Sequence, residues 1–383
     1  MATSFKSFLN NDVTSTRTLL HEAIPITGSI VSGTYNQGNT ATETNIKNFS
    51  HGLFQSVYDY PFLSSSANHI FDITVGYSNS SLTMSSSANT QNADKINIYN
   101  QMAQMLVGHD INGNIREFDA DGNLSSGTKI QECYFVNFAR LLQKDEIKKG
   151  TFALELGISG SELGGTGLAS FTGQNFIERI KIYDASGSNS YKINSPAGEY
   201  GVLHATGTTG GEILARGNTN VPCGLIFYQA GVAVISGSVF NDANQGGILS
   251  DSVIGGIQLA NPQEKTAGLN GCQFVTGSSI SGSAAAFRNR IYDVDFNNTT
   301  ELNSTIYFSR AGHNEFNYSS NPSYIDSTSQ IRVKNSSLDQ PVSYITTVGL
   351  YSADNELLAV AKVSEPLKKT PDTELTLRVR LDF

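Results

Sequence analysis

The last ten residues, ELTLRVRLDF, restrict the fold more than any other stretch of this chain. Leu375, Leu377, Val379, Leu381 and Phe383 alternate with Thr376, Arg378, Arg380 and Asp382, a period of two that an extended strand resolves into two faces. One face is expected to pack and the other to meet water or a partner, so the C-terminus is tied into a sheet instead of fraying. Upstream, Val342, Tyr344, Thr346, Val348 and Leu350 keep the same period, as do Leu357, Ala359, Ala361 and Val363. The short polar residues at 352–355 can turn the chain between them, which predicts a hairpin that the terminal strand closes. Pro366 and Pro371 cannot donate to a ladder and are expected to bracket a loop.

Charged residues are only 15% of the chain, against about 25% in an average globular protein, while Gly numbers 36 and Trp is absent. Such a balance predicts a mainly β protein with one or two helices, built as multi-domain β-sandwich or barrel-like units with a Gly/Ser-rich middle domain. The changes in texture divide it into an N-terminal arm at 1–45, the first part of a β-rich domain at 46–156, a Gly/Ser-rich β domain at 157–285 and a C-terminal β part at 286–383. The middle domain reads as an insertion, with 286–383 packing against 46–156; a bead-on-string order is the alternative. The clearest helix is NADKINIYNQMAQMLVG, where Ile98, Tyr99, Met102, Met105 and Leu106 recur on one side and Gly108 ends the run. Asn112-Gly113 and Asp121-Gly122 predict tight turns. QKDEIKKGT at 143–151 reads as a charged turn, and the stretch from about 157 to 285, including VPCGLIFYQAGVAVISGSVF and VTGSSISGSAAAF, as short strands between Gly and Ser clusters.

A formal net charge of −9 argues against wrapping nucleic acid, whose nonspecific affinity rests on Lys and Arg. No apolar run approaches a membrane span, so no membrane partner is expected. Cys133, Cys223 and Cys272 are odd in number and far apart, and read as buried reduced thiols. Asp119, Asp121 and Asn123 could offer oxygens to calcium, but Gly122 stands fourth and Ile130 twelfth where an EF-hand loop needs Gly sixth and Glu twelfth, so plain turns are expected. GGTGLAS at 164–170 lacks the Lys-Ser/Thr of a phosphate loop. The six histidines form neither H-E-x-x-H nor H-x-H. No cofactor, metal or catalytic residue is therefore expected, although a carboxylate pair for glycan cleavage would carry no local signature.

Three stretches carry a resemblance. GLYSADNELLAVAK at 349–362 with its Pro-Leu-Lys-Lys sequel and terminal strand, IQECYFVNFARLLQKDEIKKGTFALELG at 130–157, and FSRAGHNEFNYSSNPSY at 308–324 together resemble virion structural proteins of large contractile-tailed, marine myovirus-like bacteriophages. The resemblance implies a non-enzymatic component of the particle, in the baseplate or tail, whose partners are other virion proteins in a symmetric homo- or hetero-oligomeric assembly. A head, neck or decoration protein is the alternative position. A glycan-binding adhesin or glycan-cleaving tail protein is the alternative class, against which the absence of Trp counts. Arg310, Phe316, Tyr318 and Tyr324 mix aromatic rings and guanidinium with small polar residues, as interfaces do, and with Arg378 and Arg380 form the expected contact surface.

Overall fold

The computed structural model describes residues 5–27, 44–82, 90–124, 126–142, 145–160, 176–185, 187, 189–207, 221–241, 271–319 and 321–382. The protein is mainly β. Its strands are β1 (Val13–Thr27), β2 (Ile46–Asn48), β3 (Gln55–Tyr58), β4 (His69–Tyr77), β5 (Phe118–Asp119), β6 (Lys129–Ile130), β7 (Glu132–Asn137), β8 (Asp145–Ile147) and β9 (Ala153–Gly160). The series continues with β10 (Phe176–Tyr183), β11 (Lys192–Ser195), β12 (Gly198–Gly207), β13 (Val221–Phe227), β14 (Val232–Ser236), β15 (Ile291–Ala311), β16 (Ser343–Tyr351), β17 (Leu357–Lys369) and β18 (Leu375–Asp382). The α-helices among the described residues are α1 (Asn92–Leu106), α2 (Gly271–Gly277) and α3 (Ile280–Arg288).

Two compact units divide the chain, residues 21–300 and residues 1–20 with 301–383. Within the larger unit an antiparallel sheet runs in the order β15-β9-β10-β12-β13-β14-β7-β4-β3-β2. The Gly-rich stretch contributes β10 to β14 to this sheet. β7 hydrogen-bonds to β4 on one side, with Val136 opposite Ile73, and to β14 on the other, with Phe135 opposite Val234.

Alternation explains why these central strands are buried along their whole length. Phe135, Val234, Leu225 and Val202 face one another across four strands and join a cluster with Tyr99, Ala103 and Leu106 of α1. Their neighbours Tyr134, Val136, Ile235 and Ile226 belong to the second cluster, with Val275, Ile280, Ala284 and Phe287 of α2 and α3. Each strand therefore feeds two cores, and all five residues of β14 are buried.

The helix at 92–106 buries Lys95, Tyr99, Ala103 and Leu106, whereas Met105 is exposed, a correction to the expected apolar side. Gly76 on β4 lets α1 come close, because a Cβ there would lie 2.8 Å from both Lys95 O and Tyr99 N. Lys95 is fully buried and its ammonium donates to the carbonyls of Val275 (2.8 Å), Thr276 (2.9 Å) and Ser278, tying α1 to the end of α2. Gly108 ends α1 with φ +75° and donates to Ala103 O.

Two further expectations are corrected in this unit. Asp145–Ile147 is a strand paired with Asn298–Thr300 of β15, not a turn, because the chain turns only after it, at 148–151. Residues 271–288 form α2 and α3 instead of strands: Ser279 Oγ caps α3 by accepting from Gly282 N, and Ala284, Ala285 and Ala286 favour helix. GGTGLAS at 164–170 lies outside the described residues.

In the smaller unit, β18 pairs with the second half of β15, Leu377 opposite Ser309 and Val379 opposite Tyr307. The terminal stretch is thus a strand, as its alternation predicts, with Val379 buried and Arg378 and Arg380 exposed. It does not close the β16–β17 hairpin, which stands as a separate two-stranded sheet. Pro366 lies inside β17, where the register jumps from Leu367 opposite Ile345 to Lys362 opposite Thr347. The residues looped out between them absorb the missing donor, so the expected loop begins only after Lys369.

Candidate interaction surface

The smaller unit holds little core of its own. Among its described residues the buried hydrophobics are Ala311, Leu350 and Val379, while Leu358 is 69% exposed and Tyr344 and Val360 are both 53% exposed. Leu358 and Val360 alternate with half-buried Ala359 and Ala361, so the exposed pair shares one face of the hairpin. The Phe5 ring meets that of Tyr351 edge-on at 4.9 Å, leaving both partly in solvent.

The segment that follows β15 is displayed on a polar frame. Lys369, fully buried, donates from Nζ to His313 O (3.2 Å), Asn317 Oδ1 (2.8 Å) and Thr370 O (2.8 Å). Glu315 accepts from Gly312 N (2.9 Å) and from Lys6 Nζ (2.5 Å), bonds that hold its carboxyl below its ordinary range. Phe316 adopts a left-handed φ of +51°, and the Ser343 hydroxyl donates to its carbonyl. A bulky residue in that conformation is uncommon and is kept there by its surroundings. The Phe316 and Tyr318 side chains are exposed, and Tyr324 is half-buried in a short 3-10 turn, Pro322–Tyr324.

The register of β15 and β18 brings the expected arginines together. Arg378 stands opposite Phe308, Arg380 opposite Ile306 and Thr376 opposite Arg310, so the three guanidinium groups share one face of the ladder. Arg310 pairs with Asp12 (2.8 Å). Arg380 pairs with Asp382 (2.6 Å) and donates to Ser304 Oγ (3.0 Å). The two interactions with Ser304 and Arg380 lower the Asp382 carboxyl.

No known protein family, curated protein or solved structure matches this chain. The other sequence candidates resolve into local structure. Asp119 is buried and its charge is met by Lys129 Nζ at 2.5 Å, while its Oδ1 accepts from Asp121 N. Asp110 likewise accepts from Asn112 N and Asn114 N, an Asx turn. No group of three or more His, Cys, Asp or Glu able to hold a metal occurs among the described residues. Cys133, Cys223 and Cys272 are buried and free, and burial raises all three thiols. No helix among the described residues is long and apolar enough to cross a membrane. The sequence reading missed the exposed hairpin face, since Leu358 and Val360 were read only through their neighbours at the strand period; two apolar residues at the off-period positions were the available signal.

Proposed function

We propose that the protein is a non-enzymatic structural component of a contractile-tailed bacteriophage particle, placed in the baseplate or tail and working through protein-protein contacts. The observation that carries this reading is the smaller unit's exposed apolar hairpin over so small a core. Two strands alone are marginally stable in water, and contiguous exposed apolar surface marks a binding face. Phe316, Tyr318 and the arginine row of the same unit add the residue types that interfaces favour. The three resembling stretches supply the kind of assembly. Its neighbours are other virion structural proteins in a symmetric array, and the low charge suits a chain surrounded by protein.

Mass spectrometry of purified particles, with copy number, tests the proposal. The expected result is a stoichiometric, symmetry-compatible count, with the chain mapped to the tail or baseplate by labelling. A chain absent from intact particles refutes the role, and a chain found on the head supports the decoration alternative.

A further inference from the structure

A cavity of about 320 Å³ in the larger unit is lined by Asn48, Phe49, Gly52, Phe54, Gln55, Ser279, Ser281 and Gly282, at the low end of ligand-site volumes. Its apolar wall is a ring cluster. Phe49 and Phe54 lie 4.6 Å apart, and His51 stacks on Phe49 at 5.2 Å with the planes 8° from parallel. The turn that carries them is fixed at three points: Gly52 N donates to Phe49 O, Leu53 N to His51 Nδ1, and Thr74 Oγ1 to Leu53 O.

The chemistry around that wall is polar, and one cation borders it: Lys47 Nζ lies 4.8 Å from the centroid of the Phe49 ring. Gln55 is 4% exposed, and its Nε2 donates to Asn48 Oδ1 at 2.7 Å while its Oε1 has no hydrogen-bond partner among the described residues. A buried amide oxygen left so costs about 1–3 kcal/mol, and the soft terminal torsion of glutamine lets it turn toward a donor. The helix end at the rim is not an anion site. Its amides at Ile280 and Gly282 are already taken by Gln91 Oε1 (3.0 Å) and Ser279 Oγ (3.1 Å). Gln91, which makes the first of these bonds, holds a left-handed φ of +52° beside the cavity. No Asp, Glu, Lys or Arg is among the lining residues.

We infer that this cavity binds one neutral pyranose unit of a glycan, its C–H face on Phe49 and Phe54 and its hydroxyls on Gln55, Asn48, Ser279 and Ser281. A flat apolar face joined to a rim of hydroxyl donors suits both this wall and this unpaired acceptor. The cavity residues belong to the larger unit and the hairpin residues to the smaller, so different substitutions test sugar binding and assembly.

The test uses the full chain with methyl β-D-glucopyranoside and N-acetyl-D-glucosamine as probes and open-chain sorbitol as control, read by saturation-transfer difference NMR and titration calorimetry. Saturation is expected on the ring C–H protons of at least one pyranose, and not on sorbitol. Gln55→Leu should weaken that binding about tenfold or more; it removes the bond to Asn48 Oδ1 together with the unpaired oxygen, so its melting temperature is measured alongside. Ser281→Phe, at the half-buried rim, fills the cavity and should abolish binding even where Gln55→Leu folds poorly. Absence of transfer to both pyranoses, equal transfer to sorbitol, or binding untouched by Ser281→Phe overturns the inference.

Discussion

Replacing Leu358 and Val360 together with threonine isolates the exposed hairpin face from the stability of the chain. Full burial of either residue is worth about 1.5–3 kcal/mol. With 69% and 53% of their surface still exposed, contact with a neighbour could gain roughly 1–2 kcal/mol from each. Threonine retains one methyl group and the β-branched shape, so the double variant should lose about 2 kcal/mol of association, or roughly thirtyfold. Its melting temperature should not move, since neither side chain packs into the unit and surface changes stay within about 0.5 kcal/mol. The assay is competition between tagged variant and wild-type chains for incorporation into particles, quantified by mass spectrometry. Equal incorporation, with folding intact, would refute the claim that this face is a contact.

Lys95→Met should destabilise the larger unit by about 2–4 kcal/mol in denaturant unfolding, because three carbonyls lose a charged donor while only part of that loss is returned by no longer burying an ammonium. Burial pulls Lys95 down to about 8, so the native state releases its proton before the unfolded chain does, and this group's contribution should rise between about pH 8 and pH 10.5 and vanish in the variant. Gly76→Ala should cost roughly 1–3 kcal/mol, measured the same way, since its Cβ would strike the α1 backbone. Burial first, and then Asp295 and Glu155, push the Asp293 carboxyl up to about 6. The folded state takes up that proton first as pH falls, so the stability contribution of Asp293 should grow from about pH 7 down to about pH 4, and Asp293→Asn should flatten that part of the profile.

Local chemistry was legible where a few neighbouring residues decide it. The alternation of 375–382 gave a strand with the arginines outward, and Asp110 and Asp119 gave turns because their carboxylates bond amides two residues on. What could not be read was pairing. Nothing in ELTLRVRLDF distinguishes β15 from the nearer hairpin as its partner, since strand period is the same for both. The burial of Lys95 was equally hidden, because its acceptors lie some 180 residues away at the end of α2. Phe49, Phe54 and Gln55 carry no local signature of a site; the cavity needs Ser279 and Ser281 to close it, and that juxtaposition is tertiary.

The place of β7 between β4 and β14 sets a timetable for synthesis. β4 is already available when β7 leaves the ribosome, but β14 follows only at Val232–Ser236, and at ~5–20 residues per second the free edge of β7 waits roughly 5–20 s. Throughout that interval it offers Cys133, Tyr134, Phe135 and Val136, apolar on both faces, to any other nascent strand. Yield of soluble protein should therefore depend on translation speed and chaperone supply more than on the final stability of the sheet.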